Sequence, residues 1–158
     1  MATPSSGYWT GGGDAGVFSF TDKLIFSSDT TFRVPGANLL SSRYVTGGAG
    51  NAAFGYVFSG GTVPSTISTV DKLTYSTETV QFATFADVPR RTAVSMGNMN
   101  AAYFGGGENG SPSSFSNMDK IDFSTDTSIR TTNMLAPLRY ASAGGARMNA
   151  NGSTSNTL

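Results

Sequence analysis

Two of the most chemically versatile side chains are missing from this sequence, which contains no cysteine and no histidine. Without cysteine there is neither a disulfide framework nor a thiol nucleophile. Without histidine, the commonest general base and the commonest metal ligand are absent together. These absences argue against most enzymes. We therefore predict a protein with no catalytic residues, no metal site and no cofactor.

Charge is also scarce. Only 13% of the residues are charged, and the ten basic side chains balance the ten acidic ones. Nucleic acids and anionic membranes attract basic surfaces, so neither is an expected partner. The sequence has no run of roughly 18 apolar residues, and its N-terminus lacks the pattern of a signal peptide. We expect no membrane insertion.

Helical periodicity is almost absent. Apolar side chains do not recur three and four residues apart over any window of a dozen residues, and 20 glycines are spread along the chain with many β-branched residues. The sequence therefore predicts an all-β protein.

What the sequence does contain is an internal repeat. An aromatic segment ending in two glycines precedes a loop, an Asp-Lys strand and a short polar turn, and this order occurs three times. The Asp-Lys pairs begin at Asp22, Asp71 and Asp119. The paired glycines are Gly11, Gly12, Gly60, Gly61, Gly106 and Gly107. A second landmark, an arginine, recurs with a constant spacing at Arg43, Arg91 and Arg139. Self-similarity at such a period indicates stacked supersecondary units.

Each Asp-Lys segment alternates as a half-buried strand does. In the first copy, Leu24 is assigned to the inward face and Lys23 to the solvent face. A turn with a central carboxylate follows in every copy, at Asp29, Glu78 and Asp126. Short polar side chains favour turns, so we predict hairpins here. A metal site formed by these carboxylates is the less favoured alternative.

Strand segments and turns divide the chain into four-stranded antiparallel units within a single repeat domain, residues 1–158. The approximate repeats are residues 7–42, 43–90 and 91–138, with a partial copy over 139–158. Residues 7–34 supply three strands without the innermost one, and residues 139–147 supply one innermost strand. These ends are complementary, and exposed strand edges invite pairing with another copy. We therefore predict a homo-oligomer in which residues 139–147 of one chain complete the first unit of the next.

The order of these elements resembles the kelch repeat of β-propellers. The clearest copy covers residues 88–107, VPRRTAVSMGNMNAAYFGGG. The tryptophan usual after the kelch turn is replaced by Phe32, Phe82 and Ile129. The patterns GYxxGG and DKxxFSxDT are also similar to repeats in virion proteins of tailed phages of marine bacteria. The resemblance implies kelch-like four-stranded blades, about three per chain, in a propeller-like arrangement completed by oligomerisation.

The resemblance further implies a function. It suggests a non-enzymatic structural or adhesion module of a phage virion, in the tail, a fibre or a capsid decoration. Its partners would be further copies of itself, other virion proteins and a host-surface glycan or protein. The alternative is a secreted, extracellular bacterial lectin or glycan-active propeller protein. Propeller sialidases use an arginine cluster over the central axis, which the three landmark arginines could form. We favour pairing of these arginines with the repeat carboxylates.

The loops before the Asp-Lys strands, residues 13–21, 62–70 and 108–118, differ most between copies. Variable loops on a repeated scaffold commonly form the binding face. Exposed aromatic side chains suit glycan or protein ligands. The candidate contacts are Phe18, Phe20, Phe115 and Asn109. The alternative is that these phenylalanines fold back beneath their loops.

Overall fold

The computed structural model describes residues 1–44, 46–91, 93–109 and 114–134. Within these ranges the chain forms eleven β-strands and one short 3-10 turn, and no α-helix. The all-β prediction is therefore confirmed for the described residues. Arg139, the strand predicted over residues 139–147 and the partial repeat over 139–158 lie outside them.

The strands form three antiparallel sheets in chain order. Sheet 1 contains β1 (Ser6–Gly13), β2 (Val17–Ile25) and β3 (Thr30–Arg33). Sheet 2 contains β4 (Gly47–Gly50), β5 (Phe54–Gly61), β6 (Thr66–Thr74) and β7 (Thr79–Phe85). Sheet 3 contains β8 (Val94–Gly97), β9 (Ala101–Gly105), β10 (Asn117–Asp122) and β11 (Thr127–Met134). As predicted, the first unit has three strands and the next two have four.

The predicted hairpins are present at the three polar turns. In sheet 1 the strands flanking the turn are in register with Ile25 opposite Thr30, and the other two sheets repeat this register. Each turn places its carboxylate residue in the left-handed region, with φ of 51° at Asp29, 52° at Glu78 and 55° at Asp126. Aspartate is enriched among the non-glycine residues that adopt this conformation.

The glycine pairs of sheets 1 and 2 mark β-bulges, where the strand register shifts by one residue. In sheet 2 the register shifts at Ser59, with φ of 48°, and Gly60, with φ of 126°. A Cβ atom on Gly60 would lie 2.8 Å from Thr46 Cγ2 and 3.1 Å from the Tyr44 carbonyl oxygen. Glycine is therefore required at this position both because φ is positive and because there is no room for a side chain. Gly61 is also closely packed, since a Cβ atom there would lie 2.6 Å from Tyr44 Cε1.

Sheet 2 lies between the other two sheets. On one of its faces Leu73 and Tyr75 pack against Tyr8 of sheet 1. On its other face Tyr56 and Phe58 pack against an apolar cluster of sheet 3. Aromatic rings stack across both junctions, with centroids 5.2 Å apart for Tyr8–Tyr75, 4.9 Å for Tyr56–Phe123 and 4.3 Å for Phe58–Phe104.

This packing corrects the face assigned to the lysines. Lys72 is only 8% exposed, because its strand is covered on both sides. In contrast, buried and half-buried residues alternate along β10, because the described part of the chain covers only one face of sheet 3. Sheet 1 likewise has one open face. The described sheets form an open stack in which no closed propeller is present, so the propeller arrangement stays a prediction.

The free edge of β1 is partly occupied by the chain's own N-terminus. The Tyr8 amide donates to the Met1 carbonyl at 2.8 Å, and Ala2 forms an antiparallel bridge with Gly7. A strand donated to this edge by another chain would therefore have to displace residues 1–2.

Candidate functional site

A buried arginine secures the junction between sheets 1 and 2. Arg43 Nη2 donates to Asp71 Oδ2 at 3.0 Å, and Nη1 donates to the carbonyl oxygens of Ser59 at 3.3 Å and Thr69 at 2.9 Å. Neither charged side chain is more than 1% exposed. The same oxygen, Asp71 Oδ2, also accepts from the backbone amide of Leu40 at 2.9 Å. Arg43 therefore ties the bulge, the Asp-Lys strand and the incoming loop together.

Arg90 repeats this arrangement between sheets 2 and 3. Its Nη2 donates to Asp119 Oδ2 at 3.2 Å, and its Nη1 donates to the carbonyl oxygens of Gly106 and Asn117. The prediction that Arg91 is the counterpart of Arg43 is therefore wrong by one residue. Arg91 instead pairs with Glu108 and donates to the Tyr44 hydroxyl at 2.8 Å.

Burial dominates the electrostatics of these pairs. It lowers the pKa of Arg43 and of Arg90, while the facing aspartates act in the opposite direction. Burial also raises the pKa of Asp119, and Arg90 partly offsets this rise. The guanidinium groups are fully used by carboxylate and carbonyl oxygens. The pairing alternative therefore describes Arg43 and Arg90 better than an open arginine cluster for an acidic sugar.

The turn carboxylates also act between sheets. Asp126, in the turn of sheet 3, accepts from Lys72 Nζ at 2.8 and 2.9 Å and from the Tyr56 hydroxyl at 2.5 Å. Glu78, in the turn of sheet 2, accepts from Lys23 Nζ and from the Tyr8 hydroxyl. In these two turns the cation beside the carboxylate is therefore a lysine ammonium group, where the metal-site alternative would put a metal ion. Within the described ranges, no three acidic side chains gather as a metal site would require.

Two of the predicted contact residues lie on a strand rather than on a loop. Phe18 and Phe20 belong to β2, because this strand extends to Val17 and pairs with the glycine end of β1. Their rings stack 5.5 Å apart, and the Arg33 guanidinium lies 3.8 Å from the centre of the Phe20 ring. Both rings are exposed on sheet 1.

The other two candidates lie elsewhere. Phe115 is half-buried, its ring is 5.4 Å from the guanidinium carbon of Arg90, and its amide donates to the Gly107 carbonyl. Phe115 therefore folds back beneath its loop, which is the alternative to an exposed contact residue. Asn109 is exposed on the third loop. The structure thus divides the four predicted residues between sheet 1 and the third loop.

The loops of sheets 1 and 2 enclose an open depression that the sequence did not indicate. Its volume is about 400 Å³, and its walls include Gly13, Asp14, Tyr44 and Val63. The Tyr44 ring lies so close to Gly61 that a Cβ atom there would be 2.6 Å from Tyr44 Cε1. Tyr44 follows a landmark arginine directly, which is the only sequence signal that could have singled it out.

The depression offers several groups that suit ligand binding. It offers an aromatic ring, the exposed Val63 side chain, one carboxylate and the backbone of several glycines. An aromatic face and convergent polar groups are the usual means of holding an amphipathic ligand. Among the described residues that line it, Asp14 is the only carboxylate, so no acid–base pair of carboxylates is formed.

No protein-family model matches the chain. No curated protein matches it either. Among the described residues, no helix has the length and apolar character needed to cross a membrane.

Proposed function

We propose that this chain is a non-enzymatic structural and adhesion module of a phage virion, located in the tail, a fibre or a capsid decoration. Its stacked sheets would act as the scaffold, and its loops would bind a host-surface glycan or protein. The similarity of its repeats to those of phage virion proteins supports the location. The use of its buried charges as structural ties supports a non-enzymatic role, because these groups hold sheets together rather than face a ligand.

The depression beside Tyr44 is the single observation that carries the binding role. It lies at the loop end of two sheets, where the backbone is rich in glycine and the exposed side chains differ between repeats. Tyr44 is held in place there by Arg91, which is itself paired with Glu108. A fixed aromatic ring in an open depression loses little conformational entropy when a ligand stacks on it.

The second candidate is a secreted bacterial lectin or glycan-active propeller protein. The combination of an aromatic ring, a carboxylate and backbone polar groups in one depression favours a glycan ligand in this case too. The two candidates differ in where the protein is found. Mass spectrometry of purified phage particles that encode the chain would find it in particles under the first proposal, and only in bacterial culture fluid under the second.

Binding is tested with host cells and with an array of bacterial surface glycans. The double variant Asp14→Ala/Val63→Ser changes the walls of the depression at exposed positions. We expect it to bind about tenfold less tightly, since it removes a carboxylate acceptor and an apolar contact. Gln81→Ala, an exposed change on outer strand β7, is the matched control and should bind normally. Equal binding by both variants would exclude this depression as the adhesion site.

A further inference from the structure

The two internal junctions follow one rule. A cross-strand Tyr–Lys pair of one sheet contacts an aromatic ring and a carboxylate in the hairpin turn of the next sheet. The rings stack, and the carboxylate accepts hydrogen bonds from both the phenol and the ammonium group. The two sets are Tyr8, Lys23, Tyr75 and Glu78, and Tyr56, Lys72, Phe123 and Asp126.

Sheet 3 carries the first half of a third such junction on its open face. Tyr103 lies directly opposite Lys120 across β9 and β10, as Tyr56 lies opposite Lys72 across β5 and β6. Both side chains of the sheet 3 pair are half-buried. Within the described ranges, no side chain accepts a hydrogen bond from Lys120 or forms an ion pair with it. Asp122 lies two residues further along β10, and its carboxylate accepts a hydrogen bond from the Ser124 hydroxyl.

Sheet 1 carries the second half on its own open face. Phe26 and Asp29 occupy the same turn positions as Phe123 and Asp126, and Asp29 has the same left-handed backbone, with φ of 51°. The Phe26 ring is 45% exposed. Asp29 is exposed and has no ion-pair partner among the described residues.

We propose that the open face of sheet 3 binds the open face of sheet 1 of a second copy of this chain, head to tail. In this interface the Asp29 carboxylate of one copy accepts from Tyr103 and Lys120 of the other, and the Phe26 ring stacks on Tyr103. The two faces carry opposite charges at the matching positions, so the contact is complementary in charge as well as in shape. A heterologous contact of this kind generates a closed ring or a filament.

A size complement at a neighbouring position supports this occupant. Between sheets 2 and 3, Phe58 stacks on Phe104. In strand register, Gly105 of sheet 3 occupies the position that Phe58 has in sheet 2. Trp9 of sheet 1 occupies the position that Phe104 has in sheet 3. Trp9 is 58% exposed, so sheet 1 presents a large ring where sheet 3 has no side chain. An exposed apolar group of this size is typical of an interface.

The proposed interface between copies goes beyond the adhesion role, because it requires neither a ligand nor a location in a virion. Its failure would leave the depression beside Tyr44 untouched, and failure of glycan binding would leave this interface untouched.

Chemical crosslinking tests the geometry, because the chain has no cysteine of its own. Variants Asp29→Cys and Lys120→Cys are mixed and treated with a short bis-maleimide. We expect the mixed pair to crosslink at least about tenfold faster than either variant alone, since head-to-tail docking brings position 29 of one copy to position 120 of another. Equal rates in all three samples, or no crosslinking, would overturn the proposal.

Charge reversal tests the energetics. Sedimentation of the unaltered protein should show multiples of 16.4 kDa. Asp29→Lys and Lys120→Asp should each weaken association by about tenfold or more, and the double variant should restore it. Gln81→Lys, a charge change at an exposed position on outer strand β7, is the control and should have no effect.

Circular dichroism of dilute samples establishes that each variant is folded, and Asp29→Asn, which keeps the turn geometry, replaces Asp29→Lys if the latter unfolds. A 16.4 kDa monomer at all concentrations, or an oligomer indifferent to both reversals, would refute the inference.

Discussion

At the scale of single residues, neighbouring arginines have different roles. Arg90 is fully buried and satisfied by Asp119 and two carbonyl oxygens, whereas the Arg91 side chain is 31% exposed and bound to Glu108. A buried charge that loses its partner is far more costly than an exposed one, because solvent cannot replace the partner. Arg90 and Arg91, which are adjacent in the sequence, therefore contribute very differently to stability.

Replacing Arg90 by alanine should lower the free energy of unfolding by about 3–5 kcal/mol, because Asp119 would remain buried without its cation. Arg91→Ala should cause a clearly smaller loss. Urea denaturation followed by circular dichroism measures both. A larger effect at Arg91 would restore the register predicted from the sequence.

Tyrosine ionisation provides a second test at this scale. Burial raises the pKa of Tyr8, Tyr56 and Tyr75 above the usual value of about 10, since the phenolate would be poorly solvated. The folded state therefore keeps these protons when the unfolded state begins to lose them. These three phenols should therefore leave the free energy of unfolding unchanged below pH 10 and should lower it as the pH rises above 10.

Ultraviolet absorbance of tyrosinate measures this effect. Of the six tyrosines, these three should not ionise near pH 10 while the protein is folded, whereas all six should do so in denaturant. Ionisation of all six near pH 10 with an unchanged circular dichroism spectrum would contradict the burial of these phenols.

At the scale of secondary-structure elements, the three hairpin turns are equivalent in backbone but not in environment. All three place an acidic residue at positive φ. In the second and third turns the carboxylate reaches the preceding sheet, whereas the first turn faces no described sheet. The turn chemistry is therefore local, and the use made of the carboxylate depends on the neighbouring sheet.

Asparagine substitutions separate these two contributions, because asparagine also accepts the left-handed conformation. Asp126→Asn should destabilise the chain by about 1–2 kcal/mol through loss of charged hydrogen bonds to Lys72 and Tyr56. Asp29→Asn should change the stability of the dilute protein by no more than about 0.5 kcal/mol. Equal losses, measured by thermal unfolding, would mean that the turn itself and not the contact between sheets accounts for the effect.

At the scale of the whole molecule, the sheets formed by the described residues make a stack with a protected centre and two open ends. The β6 strand of sheet 2 is buried on both faces, while β10 of sheet 3 is buried on one. The exposed aromatic side chains of sheet 1 include Trp9, Phe18, Phe20 and Phe26. Such a distribution is what a repeat array leaves at its ends, where each unit lacks one neighbour.

Native-state hydrogen exchange should reflect this order. The amides of β5 and β6 should exchange most slowly, and those of the short outer strand β3, whose residues are all exposed, should exchange fastest. Slower exchange in sheet 1 than in sheet 2 would show that the stack does not have its stable centre in sheet 2.

The sequence by itself determined the strands, the turns and the number of units, because these depend on interactions within a few residues. The alternation of apolar and polar side chains predicted β6 and β10, and the short polar segments with an acidic residue predicted the turns. The sequence could not show which of Arg90 and Arg91 is buried, since both fit the same local pattern. It also assigned Lys72 to solvent, because a lone strand gives no sign that a second sheet covers it.

Only the tertiary structure decided what each repeated side chain contacts. Packing of one sheet on the next buries Lys72, pairs it with Asp126 and aligns Tyr44 with Gly61. These contacts join residues far apart in the chain, and their strength depends on the water that the packed sheets exclude. The same carboxylate is a simple turn residue at Asp29 and a link between sheets at Asp126, and the physical difference is the presence of a neighbouring sheet.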